Sequence, residues 1–218
     1  RPVIKNIGHL VTYIKGDYEL AQQWYSASGQ YHECYVYPSN IYHDYQVTEQ
    51  PHHGTHILVG NSANPTNNHL EILDKLEAYK QEDIKIFAPL SYGKPEHATR
   101  VIEEGKRRFG DKFCPITEMM PFNKYIEFLG SIDIAIFNHK RQQAMGNTIT
   151  LLGLGRKVYM RADVTQWQLF QSIGLAVFDI DTLNLTPMPK ETAQANMIRT
   201  RNYFSEDNYR EQLVEIFR

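Results

Sequence analysis

Residues 57–79 read ILVGNSANPTNNHLEILDKLEAY. An aliphatic run stops at Gly60, a loop of small amides and hydroxyls follows, and from His69 onward Leu70, Leu73, Leu76 and Tyr79 recur at three-residue spacing. The pattern predicts strand, polar loop, amphipathic helix. From Pro51 onward the same unit repeats. Short β-rich runs stand at HILVG (56–60), IKIFAPL (84–90), KFCPI (112–116), IDIAIF (132–137), KVYM (157–160) and LAVF (175–178). Helical patterns separate them, among them Phe122, Tyr125, Ile126 and Leu129 behind Pro121, a residue suited to a helix start. Strand and helix alternating in this way imply right-handed crossovers and a parallel sheet covered on both faces. The expected class is doubly wound, Rossmann-like α/β.

The first 50 residues read differently. GHLVTYI (8–14) predicts a strand, Asp17 to Tyr25 a helix capped by Asp17, and the alternating ECYVYP (33–38) a second strand. A lone βαβ piece of this size is marginal. It must lean on the main domain or be the remnant of a truncated one. The polar, aperiodic HDYQVTEQPHHGTH (43–56) reads as a linker, and SEDNYREQLVEIF (205–217) as a closing helix capped by Ser205. The expected division is therefore 1–42, a linker at 43–56, and a main domain at 57–218. The chain opens at Arg1 without an initiator Met, which suggests a piece of a longer protein.

The 218 residues carry 23 Lys and Arg against 25 Asp and Glu, so a broad basic footprint for nucleic acid is absent and any anion site must be local. The two cysteines, Cys34 and Cys114, form no CxxC or disulfide framework, which fits a reducing, cytoplasmic setting. No run approaches the length of a membrane span, and no signal peptide opens the chain.

In an open parallel sheet, ligands bind beyond the carboxyl ends of the strands. That rule selects GNSANPTNN (60–68), after the first strand of the main domain, and NHKRQQAMGNT (138–148), after the fourth and before a helix expected at ITLLGL. The first is neither G-x-x-x-x-G-K-[ST] nor G-x-G-x-x-G. Both loops lead into helix N-termini, where unpaired N–H groups attract anions. Their origin on two strands expected to be non-adjacent favours a shared site over two separate caps. Arg141 adds a permanent, planar donor, although with Lys140 it could also be a solvated surface pair. Gly146 allows close backbone approach, and Asn147 and Thr148 can cap the helix while keeping donors for a ligand. A diphosphate held between the loops needs no metal. That suits a nucleotide-sugar donor, whose cleavage builds charge on the phosphates. Gln142 and Gln143 could read sugar hydroxyls or an acetamido group. Tyr92 and the loop from Ile116 to Phe122 are placed to border the base.

Other features are weaker. Asp179 and Asp181 form a D-x-D late in the chain, and His52, His53 and His56 a short tract in the linker; neither reads as a metal site. Trp167 and Phe170 fit packing. No G-x-S-x-G elbow and no H-E-x-x-H is present.

ILVGNS (57–62) with NNHLEILDKL, and RQQAMGNT (141–148) with ITLLGLGRKVYM, resemble the bacterial TDP-N-acetylfucosamine:lipid II N-acetylfucosaminyltransferase family, glycosyltransferase family 56. IKIFAPLSYG (84–93), Trp167-Gln168 and YFSEDNY (203–209) extend the likeness, and TYIKGDYELAQQWY to VYPSN is similar to the end of that family's N-terminal domain. Gly60, Asn61 and Ser62 match one motif, Arg141, Gln142, Gln143 and Gly146 another, and Tyr92 an aromatic after the second strand. Asn147 departs from the family, which runs glycine straight into threonine. The resemblance implies a two-domain GT-B enzyme of which this chain supplies the donor-binding C-terminal half. It further implies donor binding without a metal cofactor, a lipid-diphosphate-linked saccharide acceptor, and a peripheral place at the inner face of the cell membrane in enterobacterial common antigen synthesis. The catalytic base is expected from the N-terminal domain, so this chain alone should bind without turnover. Two other readings stand beside this one. A UDP-N-acetylhexosamine epimerase would need an acid and base that these loops do not offer, and a non-catalytic interaction domain would bind no nucleotide.

Overall fold

The computed structural model describes residues 2–47 and 51–218. Residues 48–50, within the segment read as a linker, lie outside the described residues. The N-terminal part comprises α1 (Pro2–Lys5), β1 (His9–Thr12), α2 (Lys15–Tyr25) and β2 (Gln30–Glu33), with β1 and β2 paired in parallel. The main part runs β3 (Thr55–Val59), α3 (His69–Leu76), β4 (Ile84–Pro89), α4 (Pro95–Phe109), β5 (Phe113–Ile116), α5 (Phe122–Gly130) and β6 (Ile134–Phe137). It continues through α6 (Met145–Gly153), β7 (Lys157–Met160), α7 (Thr165–Ser172) and β8 (Phe178–Asp179), and closes with α8 (Lys190–Tyr203) and α9 (Glu206–Ile216).

The six strands of the main sheet are parallel in the order β5-β4-β3-β6-β7-β8. The chain builds outward from β3 to β5, then returns to the other side of β3 and builds outward again. Ile57 is paired with Ile86 of β4 on one side and Ile134 of β6 on the other. Side chains alternate across the sheet, as the two-residue strand period requires. Ile57, Val59, Ile134, Ile136 and Tyr159 join one core with Ile72, Leu73 and Leu76 of α3 and Val101 and Phe109 of α4. Leu58, Ala135, Phe137, Val158 and Met160 join the other with Leu129 of α5, Ile149 and Leu152 of α6 and Phe170 of α7. Ile57, Leu58 and Val59 are wholly buried. Each such side chain stabilises the fold by about 1.5–3 kcal/mol relative to exposure.

The N-terminal βαβ piece leans on the main part. Ile14, Tyr35 and Tyr42 belong to the second core beside Phe204. The Tyr42 phenol donates to the Gly153 carbonyl at 3.0 Å, and Gln212 of α9 accepts from the Tyr35 N–H at 3.1 Å. The last helix is capped by Ser205, whose hydroxyl accepts from the Asn208 N–H at 3.1 Å.

Several elements depart from the sequence reading. The strand expected at 33–38 lies at Gln30–Glu33, because the chain turns at Val36, whose φ is +59°. α2 begins at Lys15, so Asp17 sits in the first turn and accepts from the Thr165 hydroxyl at 2.6 Å instead of capping. Phe122 opens α5 exposed, while Ile126 and Leu129 carry the buried face. In LAVF only Phe178 is in a strand; Leu175 and Val177 are buried ahead of it. Thr55, assigned to the linker, opens β3, and His56, which the reading placed both at the linker's end and at the start of the strand HILVG, lies in β3 with its ring stacked on His52 at 3.6 Å.

Candidate functional site

The strands carrying the two polar loops are neighbours in the sheet, not separated as the sequence suggested. Their carboxyl ends therefore meet where the strand order reverses, the position at which an open α/β sheet leaves a crevice.

Gly60 leaves β3 with φ +68°, and a β-carbon there would stand 2.7 Å from both Asn67 Oδ1 and His69 Nε2. The loop after it is pinned on three sides. Ala63 donates its N–H to the Tyr92 carbonyl at 2.7 Å and accepts from the Lys94 N–H at 3.0 Å, tying it to the loop beyond β4. Asn68, left-handed at φ 51°, donates from Nδ2 to the Asn138 carbonyl at 2.7 Å. Gln143 accepts from the Thr66 hydroxyl at 2.8 Å and donates to Asn61 Oδ1 at 3.2 Å. The two loops thus form one hydrogen-bonded body.

A cleft of about 320 Å³ opens beside it, lined by Asn61, Pro89, Ser91, Tyr92, Ile116, Glu118, Met119, Met120, Phe122, Tyr125 and Asn147. Its walls come from the carboxyl ends of β4 and β5, the first turn of α5 and the first turn of α6. Asn61 donates to the Tyr92 phenol oxygen at 3.1 Å, joining loop to wall. Burial, and then the Tyr92 phenol nearby, raises the Tyr125 phenol far above its ordinary range. Among the lining residues Glu118 is the one that carries a formal charge. The cleft therefore suits an uncharged planar or sugar group, with any phosphates placed nearer α6 and Arg141.

Of the residues singled out from sequence, Asn61, Tyr92, Ile116 and Asn147 line this cleft. Arg141 is exposed at its edge of the second loop, donating to the Gln142 carbonyl at 3.1 Å, while Lys140 pairs with Glu71 at 3.7 Å. Gln142 is half-buried beside the Tyr13 phenol, which burial and the Asp17 charge push up to about 12. Five residues sit otherwise than expected. α6 starts at Met145, four residues before ITLLGL, so Asn147 and Thr148 lie inside its first turn and neither caps it. Thr148 is wholly buried, and its hydroxyl donates back to the Ala144 carbonyl at 2.9 Å, a bond that leaves no proton for a ligand. Gly146 admits not a ligand but the Ser39 carbonyl, 2.7 Å from where a β-carbon would stand. Ser62 is buried and accepts from Asn67 Nδ2 at 3.2 Å, and Gln143 is occupied in lacing the loops.

Sequence reasoning missed Tyr125, which the helical period assigned to the core, and Asn67 and His139, which no pattern marks. Burial, then the Arg141 charge, lowers His139 to about 4, and burial with two neighbouring histidines lowers His69 to about 3, so both are neutral near pH 7. Asp181 pairs with Lys75 at 2.8 Å and Asp179 caps a turn by accepting from the Asp181 N–H at 3.0 Å, both remote from the cleft lining. Cys34 and Cys114 are free thiols.

A six-stranded parallel sheet in this order with a crevice at its reversal point is a Rossmann-like domain, a fold shared by solved structures of GT-B glycosyltransferases. A glycosyltransferase from Rickettsia africae ESF-5 superposes with a TM-score of 0.74 at 14% identity, over 99% of this chain and 65% of that one. WaaG, a glycosyltransferase involved in lipopolysaccharide biosynthesis, gives 0.63 at 13% identity over 94% and 61%. The sucrose-phosphate synthase of Thermosynechococcus elongatus gives 0.69 at 11% over 99% and 59%. The present chain thus spans less than two thirds of each. Residues 2–217 match the family described as 4-alpha-L-fucosyltransferase glycosyl transferase group 56, and the chain belongs to that family.

Proposed function

We propose that the chain is the donor-binding part of a GT-B hexosyltransferase that moves an N-acetylated deoxyhexosamine from a TDP- or UDP-sugar to a lipid-diphosphate-linked saccharide. The observation that carries the reading is the cleft at the reversal point, walled by Tyr92, Ile116 and Tyr125 and floored by Asn61 and the first turn of α6. The base and its sugar enter the cleft. The diphosphate lies against the unpaired N–H groups of the α6 start, with Arg141 swinging in as its counter-charge. Gln142 reaches the transferred sugar. Neutralisation by amides, helix end and arginine requires no metal. Residues 1–42 are the end of the acceptor-side domain, and the donor domain, opened by β3 at Thr55, follows the linker. No helix of the described residues is long and apolar enough to cross a membrane; the lipid-linked acceptor is reached by peripheral contact of the whole protein with the inner face of the cell membrane, in surface-polysaccharide synthesis.

Saturation-transfer NMR with TDP, UDP, GDP and ADP tests the reading. TDP or UDP is expected to receive saturation, strongest on the base protons; no transfer to any of the four removes it. Arg141→Ala should weaken calorimetric binding of the preferred diphosphate by about 1.5–3 kcal/mol, the range of a charged hydrogen bond. Unchanged affinity takes Arg141 out of the site.

A further inference from the structure

We propose that Asn67, held by His139, is the positioning residue of the donor site, a role that rests on the nucleotide-sugar reading above. Asn67 is wholly buried and does not line the cleft. Its side-chain amide is fully used. Oδ1 accepts from the Asn61 N–H at 2.8 Å and from His139 Nε2 at 2.9 Å, while Nδ2 donates to Ser62 Oγ at 3.2 Å and the Asn64 carbonyl at 3.0 Å. The orientation of the amide follows from chemistry. The Asn61 N–H can only donate and the Asn64 carbonyl can only accept, so a flipped amide would oppose like groups at both contacts. His139 must then carry its proton on Nε2.

The clamp spans both loops. Asn67 belongs to the turn before α3, and His139 follows β6, buried and stacked on Phe137 at 5.8 Å. The group they fix is Asn61, which faces the cleft and bonds Tyr92 and Gln143 with its side chain. Asn67 therefore acts through Asn61 and touches no ligand itself. Gly60 makes room for the device, since a β-carbon there would collide with the accepting Oδ1.

Imidazole Nε2 is imitated by the terminal amide of glutamine, and Nδ1 by that of asparagine, so substitutions at His139 separate hydrogen bonding from packing. UDP and TDP titrations by calorimetry are expected to leave His139→Gln within about two-fold of the parent protein. His139→Leu, His139→Asn and Asn67→Ala should each bind at least about ten-fold more weakly. In protein without nucleotide, the backbone amide proton of Asn61 should move upfield in His139→Leu and Asn67→Ala and stay in place in His139→Gln, which a packing role would not produce. Equal affinities for His139→Gln and His139→Leu overturn the proposal, as does an unmoved Asn61 amide. If the parent protein binds neither nucleotide, the donor reading fails and the positioning role with it, while the Asn61 resonance still reports whether the clamp exists.

Discussion

At the residue scale the site depends on where a side chain is missing as much as on where one stands. Gly60 combines a left-handed φ of +68° with a β-carbon position 2.7 Å from Asn67 Oδ1 and His69 Nε2. Gly60→Ala adds backbone strain to a collision with two buried polar atoms, and urea unfolding should show a loss of about 2–4 kcal/mol. Gly8→Ala is the control: nothing lies within 4 Å of its added methyl, and its effect should stay within about 0.5 kcal/mol. Sequence reading found Gly60 because a glycine ending an apolar run is a visible signal. It could not find Asn67, one amide among four in the stretch from Asn61 to Asn68, because what distinguishes it is total burial and four partners in the fold. It also credited Ser62 and Thr148 with ligand contacts for their chemistry. In the fold that chemistry is spent on Asn67 and on the Ala144 carbonyl.

At the element scale, the strands buried on both faces were the most legible, since a parallel central strand must be apolar at successive positions. Elements at the edges were less so. ECYVYP alternates as a strand should, yet pairing ends at Glu33 and the Tyr37 N–H bonds back to the Tyr35 carbonyl, closing a γ-turn around Val36. Cys34 and Tyr35 are buried because they turn into the core ahead of that turn, not because they lie on a sheet face. A β-branched residue at φ +59° is strained, and Val36 is also exposed, so its side chain contributes little packing. Val36→Gly should raise stability by about 0.5–1 kcal/mol, the relief of left-handed strain less the added freedom of the unfolded chain. A lower midpoint in thermal unfolding would show that the turn is held by Val36 packing instead. The start of α6 was misplaced for a related reason. Gly146, Asn147 and Thr148 are poor helix formers, and their inclusion is secured by tertiary contacts such as the Ser39 carbonyl against Gly146.

At the scale of the whole molecule, the sheet order places the two loops side by side, a consequence that local pattern cannot reveal because it depends on which side of β3 the chain returns to. The same convergence brings His69, His97 and His139 under the site, with His69 Nδ1 3.1 Å from His97 Nε2. It also makes the stability of the fold sensitive to acid. His69 and His139 titrate near 6.5 when unfolded, and burial lowers them to about 3 and about 4 in the folded chain. Between those values and 6.5 the unfolded chain binds more protons than the folded one, so stability rises with pH. The contribution is complete above pH 6.5 and is lost as pH falls toward 4. Each of the two histidines adds a slope of at most about 1.4 kcal/mol per pH unit within its window. Urea unfolding at pH 7.5, 6.0 and 5.0 should therefore show a falling midpoint. His139→Gln, which keeps the bond to Asn67 but cannot take up a proton, should flatten part of the fall, the rest staying with His69 and with His56 and His97, which burial also lowers. A pH profile identical in parent and variant would mean that His139 is protonated in the folded chain at pH 5, and that Asn67 accepts from a charged imidazolium.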